Sequence, residues 1–337
     1  MNKITIVGGG TAGLTSALIL RARFPYKQID IIKSDKIGII GVGEGSTEHW
    51  KEFMKFCNIS PHELIRKADA TIKLGVMFEG WTDKPYFHSI TQLLHDNRFG
   101  QYQAVFGHLI NSNSNQLDST DQFHVHNEMA LHSLGDNFYA NQFHFNTFKL
   151  NELLIEKCKE RDIKIISDEI NDVIIEDGKI KELIGKDNNK YQSDFWIDST
   201  GFKRLLITKL GAKWKNYNDY LKLNHAIAFQ TEDTDNYNVY TLAKAMKYGW
   251  MWRIPVNGRW GNGYIFDDTL INAEQAKKEV EELLGREVTI GRDIKFEAGA
   301  IDKPWIGNCV AVGLSANFIE PLEATSIGTS LNQMFLL

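Results

Sequence analysis

An α/β fold wound on a parallel sheet is predicted by three observations at the start of the chain. Residues 4–7 (Ile-Thr-Ile-Val) form a short apolar run that ends in Gly8-Gly9-Gly10-Thr11-Ala12-Gly13. Leu14 to Arg23 then places apolar residues at helical spacing, with Pro25 just beyond. Ile29 to Lys33 is a second apolar run, so the opening reads strand, helix, strand.

The remaining elements follow in order. Gly38 to Thr47 is glycine-rich, and Trp50 to Cys57 resumes a helical pattern. From Tyr86 to Asn141 the chain is rich in His, Asn, Gln, Ser and aromatics without clear period, which reads as long loops and short helices over a site. Leu150 to Arg161 is helical. Ile163 to Ile166 and Val173 to Ile175 are strands, and Asp177-Gly178 is a hairpin turn before Ile180 to Ile184. Phe195 to Ile197 is a buried strand running into Asp198-Ser199-Thr200-Gly201. A β-rich region reaches Phe266, a helix covers Ala273 to Leu284, and Cys309 to Gly313 is the final core strand. The whole reads as one unit, residues 1–337. Dinucleotide-binding parts are expected at about 1–80, 142–210 and 296–337, and parts of an inserted β-rich substrate region at about 81–141 and 211–295.

Composition narrows the function. With 43% hydrophobic residues, a formal net charge of -5 and no block of like charges, nucleic acid and anionic membranes are unsuited as main partners. No apolar run spans a bilayer and no signal peptide is evident, so a cytoplasmic location is expected. Cys57, Cys158 and Cys309 are widely spaced, match no zinc pattern and read as reduced thiols. His124-x-His126 lacks Cys or carboxylate partners, so no metal is expected.

Gly8, Gly10 and Gly13 fit G-x-G-x-x-G between a strand and a helix, the context that makes this motif a nucleotide site. The following helix N-terminus offers unpaired amides and a positive dipole end to phosphate, which makes Thr11 and Ala12 candidate contacts with the three glycines. The acidic residue expected about 20 positions downstream for ribose is replaced by Lys33, and Asp30 should face elsewhere. Loose binding of a nucleotide that comes and goes is the reading that follows. Asp198 to Gly201 and Val312-Gly313-Leu314-Ser315-Ala316 are two further strand-to-loop turns of the kind that meet a flavin.

Trp250-Met251-Trp252-Arg253-Ile254-Pro255 matches W-x-W-x-I-P, and with it the sequence resembles the flavin-dependent, tryptophan-type halogenases. Segments in the same order that share the resemblance are Gly41 to Thr47, Thr71 to Phe78 with Trp81, Phe143-His144-Phe145, Asp198 to Leu206, Asn308 to Ser315 and Asn317 to Thr325. It runs from residue 3 to the end and is weakest between 86 and 140 and between 210 and 245.

The resemblance implies an FAD/NAD(P)-binding, Rossmann-like (flavin monooxygenase-like) domain that uses FADH2, oxygen and a halide ion to make hypohalous acid. Lys73 matches the lysine that holds this oxidant beside an electron-rich aromatic substrate, and Glu323 the carboxylate that accepts the ring proton. Gly43, Glu44, Gly313 and Leu314 are implied flavin contacts, Thr325 and Ser326 the halide site, and Trp250, Trp252 and Pro255 the wall of the flavin site. A separate NAD(P)H-dependent flavin reductase is implied as partner, and homodimerisation is an expectation from the resemblance alone.

Two departures stand out. Ala324 and Ser326 replace the serine and glycine usual in the family, from which bromide or iodide is expected to be used better than chloride. The chain stops at Met334-Phe335-Leu336-Leu337, inside an apolar helix and short of the C-terminal helical region that the family carries. Free tryptophan is for that reason a less secure substrate than a small indole or phenol. The competing functions are a flavin-dependent aromatic monooxygenase and a non-catalytic flavin-binding protein.

Overall fold

The computed structural model of the chain describes residues 1–39, 44–89, 142–232, 238–322 and 324–337. Apolar β1 (Lys3–Val7) lies at the middle of a six-stranded sheet, between β2 (Gln28–Lys33) and β12 (Phe195–Asp198). β8 (Lys164–Ser167) extends the sheet beyond β2, and β21 (Cys309–Ala311) and β20 (Trp305–Ile306) extend it beyond β12. All pairs are parallel except β20 with β21. Strands buried on both faces need continuous apolar sequence, as Ile4, Ile6, Ile29 and Ile31 supply. The predicted strand–helix–strand opening is present, with α1 at Thr11–Arg23.

Around α1 pack α4 (Thr147–Lys159), α7 (Thr325–Leu336) and, more lightly, α2 (His49–Phe56). Leu14, Leu18, Trp50, Phe145, Leu150 and Leu331 close this core. The Asn146 side chain caps α4 by accepting from the Phe148 and Lys149 amides. Ser60, with Pro61 and Glu63, forms a capping box for α3 (Pro61–Lys67). Asn272 and Gln275 form a second for α6 (Ala273–Leu284), which ends on Gly285 in the left-handed region.

A seven-stranded sheet makes the other large layer. Its order is β18 (Ile290–Lys295), β14 (His225–Glu232), β17 (Arg259–Phe266), β16 (Gly249–Val256), β15 (Tyr240–Met246), β5 (Gly75–Glu79) and β6 (Tyr86–Ser89). Tyr86 to Ser89 is thus an edge strand and not loop; residues 90–141, including His124 and His126, lie outside the described residues. Two smaller sheets flank the six-stranded one: β9 (Ile170–Glu176), β10 (Lys179–Gly185) and β11 (Lys190–Tyr191); and β13 (Trp214–Asn216), β19 (Gly299–Ile301) and β22 (Asn317–Phe318). The turn at Asp177-Gly178, both residues at positive φ, joins β9 to β10 as the sequence predicts.

The fifth sheet is the smallest and bears most directly on the site. β3 (Glu44–Gly45) and β4 (Thr71–Ile72) pair antiparallel on either side of β7 (Phe143–Phe145). Directly opposed residues share a face, so Glu44 and Phe145 point one way, and Gly45, His144 and Thr71 the other. The first face joins the α1 core, where Phe145 packs on Trp50. The second meets the seven-stranded sheet, where His144 reaches Thr241 on β15.

Candidate active site

The glycine-rich turn has the shape that its sequence implies. Gly8 sits at φ +124, and a Cβ there would fall 2.1 Å from the Ser199 carbonyl oxygen. A Cβ on Gly13 would fall 2.0 Å from the Gly8 carbonyl oxygen, so only glycine lets α1 start this close to β1. Gly10 is the N-cap of α1, no side chain caps it, and nothing stands within 4 Å of where its Cβ would be. Amides without a side-chain cap among the described residues thus stand at the positive end of a 13-residue helix, which suits a dinucleotide pyrophosphate. Thr11 and Ala12 form its first turn. Gly313, at φ +66, lies against Ala12, where a Cβ would come within 2.7 Å, and its amide donates to Gln333 Oε1 at 3.3 Å. Leu314 follows it in the same short turn, Gly313–Ser315.

At the ribose end, Asp30 does face elsewhere: it is buried and ion-pairs with Lys3 at 3.1 Å. The Lys33 stem lies across Gly9 and its amine reaches Asp35, which also accepts from the Ser167 hydroxyl. These contacts hold the Asp35 carboxyl below its usual range. A carboxylate does therefore stand near the end of β2, two residues later than the motif spacing suggests.

Asp198, at the head of the 198–201 segment, is bound within the fold. It is fully buried, and its oxygens accept from the Leu206 and Ile207 amides at 2.8 and 2.9 Å, from the Thr200 amide and hydroxyl, and from Ser315 Oγ at 3.1 Å. It ties α5 (Leu205–Lys209) and the Gly313–Ser315 turn to the end of β12. The two strand-to-loop turns singled out in the sequence are joined through this carboxylate.

Lys73 is fully buried, an unusual place for an amine. Its Nζ donates to the Ser46 carbonyl at 3.0 Å. Ser46 is held in turn: its amide donates to the Phe143 carbonyl, and its hydroxyl accepts from the Phe143 amide at 2.8 Å. A methyl on Gly45 would lie 3.3 Å from Lys73 Nζ and 3.6 Å from the Ala324 Cβ. Gly328 of α7 approaches Thr47 so closely that a Cβ would meet its hydroxyl at 2.5 Å. Segments 44–47, 71–73, 143–145 and 324–328, far apart in sequence, thus converge on one amine. Glu323 and Gly43 lie outside the described residues.

Thr325 and Ser326 open α7, which no side chain caps. Such a helix start favours an anion through its free amides and dipole. Ala324, the N-cap, is held at φ 54 in the left-handed region. Glu44, one residue from Gly45 but on the opposite face, has Oε2 buried without a hydrogen-bond partner among the described residues, and burial pushes its carboxyl up to about 7.

Trp250 and Trp252 are 3% and 8% exposed on one face of β16, with ring centroids 6.1 Å apart and no partner for either indole N–H among the described residues. They pack with Phe78, and Leu322, just before the 323–326 segment, rests on this cluster. Gly263, opposite Trp252 on β17, makes room for it: a Cβ would fall 2.1 Å from the ring. Pro255 has no N–H to donate, and its carbonyl accepts from Thr71 Oγ1 at 2.6 Å. The strand of the W-x-W-x-I-P motif is thereby fastened to the strand that leads into Lys73.

Gly45, Ser46, Thr71 and Gly263 carry weight that sequence reasoning does not assign to them individually. Their signal is faint: a small or hydroxyl residue inside a motif shows that space or a bond is needed, but not for which neighbour. Among the described residues, no helix is long and apolar enough to cross a membrane. Cys57, Cys158 and Cys309 are buried and unpaired; burial pushes the thiols of Cys57 and Cys158 up to about 12.

Fold and site together define an FAD-binding Rossmann-type protein, with a buried amine on the far side of a thin sheet from the nucleotide half. The family model described as tryptophan halogenase matches residues 3–335, so the chain belongs to the tryptophan halogenase family and is a flavin-dependent halogenating enzyme. It is 30% identical over 363 residues to tryptophan 6-halogenase SttH of Streptomyces toxytricini, spanning 97% of this chain and 69% of that one. With 7-chloro-L-tryptophan 6-halogenase KtzR of a Kutzneria strain it shares 30% identity, covering 96% and 70%. Among solved structures, SttH superposes with a TM-score of 0.86 at 28% identity, covering 99% of this chain and 71% of that one. A flavin-dependent halogenase from Xanthomonas campestris gives 0.87 at 27%, covering 99% and 70%.

Proposed function

We propose that this enzyme halogenates an electron-rich aromatic small molecule with hypohalous acid, and that Lys73 delivers the oxidant. When bound, reduced FAD together with oxygen supplies the oxidising power that turns halide into hypohalous acid. The observation that carries the reading is the full burial of Lys73 at the meeting point of four chain segments, its amine anchored on the Ser46 carbonyl. A buried amine anchored on a backbone carbonyl can hydrogen-bond hypohalous acid or exchange a proton for halogen, and so orient the electrophile. Two relatives are named for tryptophan and 7-chloro-L-tryptophan, both indoles, which supports an electron-rich ring as target.

The other roles are assigned from the resemblance to the family, with position as support where the residues are described. Gly8, Gly10, Thr11, Ala12 and Gly13, with Gly313 and Leu314, cradle the dinucleotide, Glu44 borders it, and Gly43 is assigned to the flavin from sequence alone. The first-turn amides at Thr325 and Ser326 hold the halide, and Ala324 and Ser326 tune that pocket toward bromide or iodide. Trp250, Trp252 and Pro255 wall the flavin site and keep the aromatic substrate from it. Glu323, assigned from sequence alone, accepts the ring proton. A separate NAD(P)H-dependent reductase supplies FADH2.

The test is mass spectrometry on a panel of indoles and phenols. The protein is incubated with a flavin reductase, NADH, FAD, air and chloride, bromide or iodide. Halogenated products in the wild type, lost at least ~100-fold in Lys73→Ala while reduced flavin is still oxidised, are expected. Oxygenated products without halogen would sink the reading, and a chloride rate above those of bromide and iodide would sink the halide preference.

A further inference from the structure

We propose that His144 is a positioning residue for Lys73, held as the neutral tautomer with its proton on Nδ1 between two threonine hydroxyls. The tautomer follows from counting donors. Thr71 Oγ1 lies 2.6 Å from the Pro255 carbonyl oxygen and 3.3 Å from His144 Nδ1. A carbonyl can only accept, so the single hydroxyl proton of Thr71 belongs to Pro255. Thr71 Oγ1 is therefore an acceptor toward His144, and Nδ1 carries the hydrogen. On the other side, Nε2 stands 2.9 Å from Thr241 Oγ1 and takes the hydroxyl proton of that residue. Every polar group in this chain from Thr241 through His144 and Thr71 to Pro255 has its partner, which is the condition under which a buried polar network rigidifies its surroundings.

Neutrality follows from the surroundings. His144 is fully buried, and burial holds its ring well below the ordinary histidine range, with the charge of Lys73 acting in the same direction. An imidazolium here would place a second cation beside a buried amine and would need an acceptor at both nitrogens.

The geometric consequence concerns Lys73. The network pins Thr71, two residues before it, to the Trp250–Pro255 strand on one side and to β7 on the other. The Lys73 amide donates to the Gln142 carbonyl, two residues before His144. The lysine backbone is thus held by the strand that carries His144, and its amine by Ser46, which is bonded to Phe143 of that same strand. Shift the ring and both anchors move. The role rests on the reading of Lys73 given above; the tautomer does not.

Two measurements test it. Long-range 1H–15N NMR of the purified wild type, with 15N-histidine, is expected to show one buried ring that stays neutral and Nδ1-protonated between pH 6 and 8. Its resonance is assigned by its loss in His144→Phe. An Nε2-protonated or charged ring overturns the assignment without any turnover being measured. The second readout is halogenated product per reduced flavin oxidised. His144→Phe and Thr71→Val are expected to lower that ratio about tenfold or more, and Thr71→Ser, which keeps the hydroxyl, to recover most of it. Thr71→Val lets the role be judged should His144→Phe fold poorly. Both variants keeping the wild-type ratio overturns the positioning role. A wild type that makes no halogenated product defeats the Lys73 reading and this role with it, leaving the tautomer to be judged by the spectrum.

Discussion

Two faces of one three-stranded sheet separate two chemistries. On the face shared with the α1 core, Glu44 buries a carboxyl oxygen that meets no donor among the described residues, and its acid form is favoured up to about pH 7. On the other face, Gly45 and His144 stand beside Lys73, whose amine has its acceptor in Ser46. Residues 44 and 45 are neighbours in sequence, yet strand alternation sends them to opposite sides. The carboxyl and the amine thus lie on opposite sides of a sheet a single strand-layer thick. The lesson is that a strand of two residues can serve two compartments, provided that one residue is small enough to leave the second compartment open.

The largest expected effect breaks the first face. Glu44 binds its proton more tightly folded than unfolded, since its carboxyl rises from 4.5 to about 7. Between these values the native state holds more protons than the unfolded state, so stability falls as pH rises through this window and levels off above about 7. The full loss is about 3 kcal/mol, because each tenfold change in proton affinity is worth about 1.36 kcal/mol. Glu44→Gln keeps the shape and cannot ionise. Denaturant unfolding at pH 4 and pH 8 should show the variant near wild type at the lower pH and more stable at the higher. Equal stabilities at both would mean that the carboxyl is solvated and that the two faces do not differ as described.

Much of this is legible in the sequence, and the exceptions have physical reasons. The opening βαβ, the hairpin at Asp177-Gly178 and the helix Ala273–Leu284 carry strong local signals: glycine motif, turn dipeptide, helical period with caps. Lys73, Trp250 and Trp252 stand out as candidates by sequence, and the structure finds all three buried. Tyr86 to Ser89 does not read as a strand because an edge strand needs no apolar alternation; its pairing with β5 is a long-range fact. The segment Asp198 to Gly201 reads as a nucleotide turn from its place after a strand, whereas the bonds from amides 8 and 9 residues later to the Asp198 carboxylate are a fact of the fold. His144 stands inside a motif without a role of its own in sequence, because its tautomer is set by Thr71, Thr241 and Pro255, three residues that meet it only in the fold.

A smaller effect probes the second face. Gly45 has ordinary backbone angles, so alanine is conformationally acceptable there and its strand entropy is slightly better, by roughly 0.5–1 kcal/mol. The new methyl would sit 3.3 Å from Lys73 Nζ, which must yield by a few tenths of an ångström. Gly45→Ala should therefore leave the thermal midpoint within a few degrees of wild type. It should lower halogenated product per flavin oxidised severalfold, since misplacing a delivering group by a fraction of an ångström weakens its alignment. A variant that instead loses stability and keeps its product ratio would show that the space beside Lys73 serves packing alone.

The smallest effect lies where the second face meets α7. Ala324 holds φ 54 at the helix start, and a Cβ in the left-handed region costs roughly 1–2 kcal/mol. Ala324→Gly removes that strain but adds freedom to the unfolded chain, worth about 0.4–1 kcal/mol in the opposite sense. The net stabilisation should be no more than about 1 kcal/mol, a shift of a few degrees at most in a chain of this length. Because the backbone already sits in the conformation that glycine prefers, the first turn of α7 should keep its geometry, so that loss of the Ala324 methyl acts on the pocket alone and should shift the relative rates from bromide and iodide toward chloride. An unchanged halide order would show that the Ala324 methyl does not bound the anion pocket, and that the second face ends short of the start of the helix.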